Sequence, residues 1–364
     1  MEDHSILIHK TNKSNYQIAI WLLSGAFLIF LMVVVGGITR LTGSGLSITE
    51  WKPIMGAVPP LNDEQWQEAF QKYQQIPQFQ KLNYDFTISD FKEIFFWEYL
   101  HRLIGRLIGV VFIGGFLYFF AKNKLTNDLL RKTLFLFLLG ALQGFIGWYM
   151  VSSGLVERTS VSQYRLAIHL ITAFITFGVT LWFALELLYP NKKTSISSSF
   201  ISALKILLFL VTIQIIYGAF SAGLHAGKVA NTFPTMNGEW IPSGINAISP
   251  WYKNLFENLL TVQFIHRMLA SLILIFIISL WGRTRQANLY SLQKTSLNFC
   301  FLAVIIQFLL GVFTLIYAVP IVLAVLHQVG GFILFSSVII AIYSFSRANQ
   351  LELANNPQTE AITN

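Results

Sequence analysis

Cysteine is almost absent from this sequence, because its 364 residues include one, Cys300. A single thiol excludes an intrachain disulfide and any zinc or iron–sulfur site that needs several cysteines. Charge is also scarce, since 12% of the residues are charged, whereas a soluble domain has about a quarter. Hydrophobic residues make up 54% of the chain. Most of its surface must therefore face hydrocarbon, and the composition excludes an ordinary soluble enzyme.

Eight apolar segments are long enough to cross a bilayer core about 30 Å thick. Water is absent inside the bilayer, so the backbone polar groups must bond each other and each segment is predicted to be a helix. The first segment lacks the small-residue cleavage site of a signal peptide and is interpreted as a permanent span. The predicted spans are residues 17–39, 100–121, 134–152, 166–188, 200–223, 260–281, 297–319 and 321–345.

The formal net charge of +8 is distributed unevenly between the two sides of the membrane. Segments on the side of the termini contain 13 lysines and arginines and six acidic residues, whereas the opposite segments contain 12 and 11. The positive-inside rule therefore predicts cytoplasmic termini and outward-facing long loops. This topology accounts for most of the charge without nucleic acid as a partner.

The first outer loop contains the segment LNDEQWQEAFQKY, which is typical of a short amphipathic helix lying on the membrane. Trp66, Phe70 and Tyr73 share one face of this helix, and Pro77 is predicted to end it. The predicted organisation is a tail (1–16), an N-terminal four-helix half (17–190) with outer loop 40–99, a C-terminal half (191–346) with outer loop 224–259, and a second tail (347–364).

The two halves resemble each other in sequence. EYLHRLIGRLIG at 98–109 aligns with QFIHRMLASLIL at 263–274, and 143–151 aligns with 307–315. A third alignment joins 166–175 with 323–332. The repeat predicts an all-α integral membrane protein made of two four-helix bundles, related by a pseudo-twofold axis along the membrane normal.

Each half has one histidine on its second predicted helix and one on its fourth, all within one to two turns of the outer helix ends. Taken singly, such a histidine is explained by a helix–helix hydrogen bond. Two repeat-related pairs at matched depth instead favour axial ligation of two haems, while a zinc cage would need more ligands. The candidates are His101 and His169 in the first half and His266 and His327 in the second. His225 is interpreted as a loop residue.

Arginine directly follows two of these histidines, as Arg102 and Arg267. A guanidinium beside an axial ligand can pair with a haem propionate. The alternative is that each side chain extends to the membrane interface. Arg40, at the outer end of the first span, is the third candidate for a propionate.

The repeat also contains a difference, because Glu98 in the first half is replaced by Gln263 in the second. The i, i+3 spacing places Glu98 and His101 on one helix face. A carboxylate at one site alone predicts acid–base chemistry there and electron transfer at the other. The alternative is an i, i+4 ion pair between Glu98 and Arg102.

These motifs resemble the haem A synthase family, in the bacterial and mitochondrial branch without cysteine pairs in the outer loops. The resemblance extends from about residue 17 to 345, and the segments that carry it are 36–61, 91–106, 222–242, 263–270 and 326–331.

The resemblance implies an enzyme that oxidises the ring-D methyl group of haem O to the formyl group of haem A, through successive hydroxylations, for haem–copper oxidases. It implies that Glu98 is catalytic and that His101 and His169 bind the iron of the substrate haem O. It also implies a low-spin haem b as cofactor, with His266 and His327 as its axial ligands. Whether Glu98 accepts a proton or stabilises positive charge is left open, as is the source of oxygen, O2 or water.

The resemblance also implies partners: a haem O synthase, the haem–copper oxidase assembly machinery and an electron donor that the sequence does not identify. Homo-oligomerisation is left open. With no visible transit peptide, we expect a bacterial plasma membrane, with haem sites near the periplasmic face, rather than the mitochondrial inner membrane.

Two other functions are compatible with the repeat. A di-haem b-type electron carrier, such as a quinol oxidoreductase, would have two equivalent sites and no use for Glu98. A transporter would have broken helices at mid-membrane, whereas these histidines lie near one surface.

Overall fold

The computed structural model describes residues 13–51, 55–156, 158–189, 192–193, 198–285, 287 and 289–348. The predicted tails, 1–16 and 347–364, lie outside these ranges except for residues 13–16 and 347–348. Eight helices in the described part are long and apolar enough to span a membrane. The prediction of an all-α, multi-pass membrane protein is therefore confirmed.

The α-helices are α1 (Lys13–Leu41), α2 (Asp63–Gln74), α3 (Pro77–Leu82), α4 (Ile88–Ala121), α5 (Asn127–Ser152), α6 (Gln163–Leu188), α7 (Ser198–Gly223), α8 (Asn254–Glu257), α9 (Leu259–Thr284), α10 (Ser291–Ile316) and α11 (Ile321–Ser346). All except α2, α3 and α8 are candidate spans. Two-residue strands, β1 (Lys192–Lys193) and β2 (Arg347–Ala348), pair antiparallel.

Helix α4 begins well before residue 100, where hydropathy placed the start of the second span. Thr87 and Asp90 form a capping box at its start, in which each side chain accepts a hydrogen bond from the backbone N–H of the other residue. The added turns bury Phe91 and Ile94. Part of the predicted outer loop is thus helix, because aromatic packing on α2 stabilises a segment too polar to be recognised as a span.

The predicted amphipathic helix of the outer loop is α2. Tyr73 is fully buried, and its ring centroid lies 5.3 Å from that of Phe91 on α4. Trp66 packs edge-on against Phe95, with centroids 5.0 Å apart. Helix α2 ends before Pro77, which begins α3. This cluster fixes the outer loop to the end of α4.

Helix α10 ends earlier than the predicted seventh span, 297–319. Ala318 and Val319 have φ of 58° and 63°, a left-handed conformation that an α-helix does not contain. They form a sharp turn ahead of Pro320, so α10 and α11 pack as neighbours.

The contacts between spans follow the same pattern in the two halves. In the first half α1 packs on α4 and α6, and α5 on α6; in the second half α7 packs on α9 and α11, and α10 on α11. The halves meet through α6 with α7 and α1 with α11. This pattern supports the repeat, while the division into two separate bundles stays a prediction because the halves share one large apolar core.

Gly115 tests the packing of α1 on α4. A Cβ atom at Gly115 would overlap the indole of Trp21, whereas one at Gly114 would meet nothing within 4 Å. Trp21 donates a hydrogen bond from Nε1 to the Val111 carbonyl at 3.0 Å. We expect Gly115→Ala to displace the indole and to lower the free energy of unfolding by about 1–3 kcal/mol.

The measurement is the thermal midpoint in detergent, followed by circular dichroism. Gly114→Ala is the matched control and should retain the midpoint of the parent protein. Identical midpoints for the two variants would contradict the packing described.

Candidate functional site

Each of the four candidate histidines packs against a glycine of a neighbouring helix. A Cβ atom added to the glycine would approach the imidazole Cε1 so closely that the ring would have to move. The distances would be 2.9 Å for Gly36 and His101, 3.0 Å for Gly147 and His169, 3.3 Å for Gly218 and His266, and 2.9 Å for Gly311 and His327. Glycine therefore allows each imidazole to lie directly on a helix backbone.

The rings of His266 and His327 form a pair, with centroids 6.4 Å apart and planes at 81°. Imidazoles that bind one iron from opposite sides through bonds of about 2 Å have their centroids roughly 6 Å apart. The separation of the two rings therefore matches that of two imidazoles on one iron. In the first half, His101 and His169 also lie close enough to interact electrostatically.

Within the described part of the chain, no group of three or more His, Cys, Asp or Glu residues could hold a metal ion. A pair of imidazoles suits an iron whose equatorial ligands are supplied by a porphyrin.

Glutamine side chains hold the backbone beside three of the histidines. The amide Nε2 donates to the histidine carbonyl at 3.0 Å for Gln143 and His169, 3.0 Å for Gln214 and His266, and 2.9 Å for Gln307 and His327. Sequence analysis missed these residues. Gln143 and Gln307 could have been found, because they begin the aligned segments 143–151 and 307–315.

These bonds also correct one alignment. Pairing 166–175 with 323–332 places His169 opposite Leu326. The equivalent bonds from Gln143 and Gln307 show that His169 corresponds to His327, one residue further along.

The carboxylate of Glu98 is buried and bonded at both oxygens. Oε2 accepts hydrogen bonds from the Ser47 hydroxyl at 2.8 Å and the Ile48 N–H at 2.9 Å. Oε1 accepts from Nε and Nη2 of Arg102 at 3.1 and 2.7 Å. Arg102 also donates to the carbonyls of Ile48 and Glu50 at 2.8 and 3.0 Å. The alternative interpretation, an ion pair between Glu98 and Arg102, is therefore present. The hydrogen bonds of these two side chains attach the loop after α1 to α4, and we call this arrangement an arginine clamp.

A corresponding clamp exists in the second half. Gln263 donates to the Ala230 carbonyl at 3.1 Å. Arg267 donates to the carbonyls of Ala230 and Thr232 at 2.6 and 2.8 Å. Ala230 and Thr232 each lie 182 residues after the loop residues that Arg102 binds. The same offset separates the glycines beside the two second-helix histidines, so the repeat is visible in the contacts.

The clamps differ in charge. Arg102 is neutralised by Glu98. Arg267 is buried, forms no ion pair with any residue that the structure describes, and leaves its Nε without a partner there. Gln263 cannot supply a charge. Among the described residues, the second clamp therefore contains a buried cation without a counterion, whereas the cation of the first clamp is paired.

Arg40 joins the two halves at their outer side. It donates to the carbonyls of Ala222 and Gly223 at 2.7 and 3.2 Å, and its Nη2 lies 2.9 Å from Nε2 of His225. Burial and the charges of Arg40 and Lys228 lower the pKa of His225 below its ordinary value, which favours the neutral imidazole that accepts this hydrogen bond. The predicted loop residue is thus part of the junction between halves.

Gln328 connects the two histidine pairs. It follows His327 and donates to the Val33 carbonyl of α1 at 2.7 Å. Its amide also lies against Gly37, which adjoins the glycine that supports His101. A single contact between α1 and α11 therefore ties the positions of both candidate sites together.

Comparisons with known proteins show the family of this chain. Residues 19–339 match the family described as cytochrome oxidase assembly protein. The haem A synthase of Flavobacterium psychrophilum is 47% identical over 339 residues, which cover 92% of this chain and 100% of that protein. The chain belongs to the haem A synthase family. Its similarity to the haem A synthase of Bartonella henselae, 45% identical over 350 residues and 95% of each chain, includes both halves.

Gly311 provides a test of the histidine–glycine contact in this haem A synthase family member. We expect Gly311→Val to push the His327 ring away from His266 and to lower the haem content of the purified protein at least several-fold. The haem absorbance per mole of protein measures this. Gly144→Val, at a glycine with nothing within 4 Å, should leave the haem content unchanged. Equal haem content in the two variants would show that the contact does not position a ligand.

Proposed function

We propose that the protein is a haem A synthase that oxidises the ring-D methyl group of haem O to a formyl group by successive hydroxylations. The proposal rests on the difference between the two arginine clamps, of which one contains a carboxylate and the other an amide. Glu98 is buried one helix turn from His101, and the corresponding position of the other half has Gln263. One half thus has a group able to move protons, and the other does not.

The substrate haem O lies between His101 and His169, and haem b lies between His266 and His327. The fit of the second pair to an iron supports this assignment. Haem b, when bound, supplies single-electron transfer. The contact of Gln328 with α1 fixes the distance between the two sites.

Glu98 acts at the substrate methyl group. The guanidinium of Arg102 and the donors of Ser47 and Ile48 stabilise the anionic carboxylate and fix its orientation. The anion is the form that accepts a proton or stabilises positive charge at a carbon, and both roles are compatible with this geometry.

Arg267 is the arginine best placed to bind a haem b propionate, because its buried charge has no counterion among the described residues. Arg40 and Arg102 are occupied by other partners. Their pairing with propionates stays a prediction.

The remaining expectations follow from the same topology. We place the termini in the cytoplasm of a bacterium and both sites near the periplasmic face of the plasma membrane. A haem O synthase supplies the substrate, and the product is transferred to haem–copper oxidase assembly.

Co-expression with a haem O synthase tests the function directly. Extracted haems are identified by chromatography and mass, and haem A should appear only when this protein is present. Haem b and haem O without haem A would contradict the proposal and favour a di-haem electron carrier.

Glu98→Gln tests the catalytic role. We expect it to retain haem b and to lower haem A formation about 100-fold or more, since general acid–base groups contribute factors of this order. Glu93→Gln, an exposed carboxylate on the same helix, should retain activity. Full activity of Glu98→Gln would refute the assigned role.

A second variant separates chemistry from the clamp. Arg102→Gln breaks the same ion pair but keeps the carboxylate, so we expect a smaller loss of haem A. Equal losses in the two variants would indicate that Glu98 acts by holding the loop.

A further inference from the structure

A polar cleft opens at the outer ends of α5 and α6, outside the clamps described above. Its volume is about 320 Å³, and it is lined by Ser152, Ser153, Val156, Arg158, Ser162 and Arg165. Both charged residues of this lining are arginines, while the hydroxyls of Ser152 and Ser153 already donate to the carbonyls of Tyr149 and Met150.

The two arginines are available to a ligand. Arg165 donates from Nη1 to the Tyr149 carbonyl at 2.6 Å, and its guanidinium lies 3.7 Å from the centre of the Tyr149 ring. Tyr149 therefore holds the side chain of Arg165 in place. The other guanidinium nitrogens of Arg165 form no hydrogen bond with any described residue. Arg158 is exposed, and neither arginine forms an ion pair within the described part of the chain.

The start of α6 adds further donors. Ser162 is the N-cap residue, but its side chain accepts no backbone hydrogen bond. The first N–H groups of a helix without such a cap lack partners and favour a negative charge nearby. The hydroxyl of Ser153 accepts from the Ser162 N–H at 3.2 Å, which closes the cleft between the two helices.

One residue of the cleft, Arg165, lies one helix turn from His169 of the first histidine pair. Arg165 precedes His169 by one turn, so the two share a face of α6 about 6 Å apart along its axis. Both face α5, where His169 packs on Gly147 and Arg165 on Tyr149. A porphyrin whose iron is bound by His169 would extend its edge towards this cleft.

The second half contains no equivalent. By the correspondence of His169 with His327, Leu323 occupies the position of Arg165. The second half instead has the uncompensated Arg267, whereas Arg102 in the first half is neutralised by Glu98. The clamp of the first half therefore offers no unpaired cation to a negatively charged ligand.

We propose that Arg158 and Arg165 bind the propionate carboxylates of the substrate porphyrin. This inference rests on the proposed function. In haem O the reacting ring-D methyl group lies on the same pyrrole as one propionate. Anchoring the propionates at this end therefore holds the propionate edge of the porphyrin, with the ring-D methyl group beside it, at the end of the site where the cleft lies.

Binding of haem O and of its dimethyl ester tests the proposal without relying on turnover. Each is titrated into the purified protein and followed by absorbance. The Arg158→Gln, Arg165→Gln double variant should bind the free acid roughly tenfold to hundredfold more weakly, as expected for lost charge-assisted hydrogen bonds. The ester, which has no carboxylate, should bind parent and variant equally.

The matched control is Lys81→Gln, an exposed cation of the outer loop, which should bind both forms like the parent. Equal weakening of acid and ester by the arginine variant, or no weakening of either, would overturn the proposal. So would loss of co-purified anionic phospholipid with unchanged binding of the free acid, since the cleft would then bind a lipid headgroup. Selective loss of free-acid binding without haem A in the co-expression test would support the cleft and refute the proposed function.

Discussion

The contact between a histidine ring and a glycine backbone determines much of this structure. An imidazole is polar and costly to bury in a membrane, so its place among the helices must be defined. Gly36 and Gly311 let the helix of a histidine approach its neighbour until ring and backbone touch. One contact of this kind then sets both the spacing between two helices and the position of an imidazole, and it occurs at four histidines. The glutamines that bind the histidine carbonyls hold the same turns from the side.

Charge balance distinguishes the two sites that this contact creates. Both halves fasten an outer loop with an arginine that binds backbone carbonyls, so the arginines have a structural task whether or not a ligand is present. In the first half a carboxylate neutralises the arginine and is itself held in one orientation. In the second half the buried cation is unpaired among the described residues, which is costly unless an anion approaches. The difference between carboxylate and amide at one repeated position is therefore what leaves the arginine paired in one half and unpaired among the described residues in the other.

The spans and the histidine pairs could be predicted from the sequence because lipid imposes long apolar helices and penalises buried polar groups. The start of α4 could not, since Phe91 and Ile94 are stabilised by aromatic contacts with a separate helix and not by lipid. The arginine clamps could not be predicted from the sequence either, because the arginines bind backbone carbonyls, which any residue type provides. Glu98 was identified from the difference between repeats, but its four hydrogen bonds depend on how the loop after α1 folds back.

The halves are not independent, although their contacts are repeated. Gln328 reaches from the turn that carries His327 to α1, whose glycines support His101. Arg40 reaches in the opposite direction, from the end of α1 to the end of α7 and the imidazole of His225. Each half thus supplies a polar side chain that fixes the other near the ends of the helices. Because polar contacts within a bilayer have few alternative partners, these two bonds resist sliding of one half along the other. The proposed electron transfer between the two histidine pairs would require a fixed separation between them, and these two hydrogen bonds contribute to it without any covalent link beyond the chain itself.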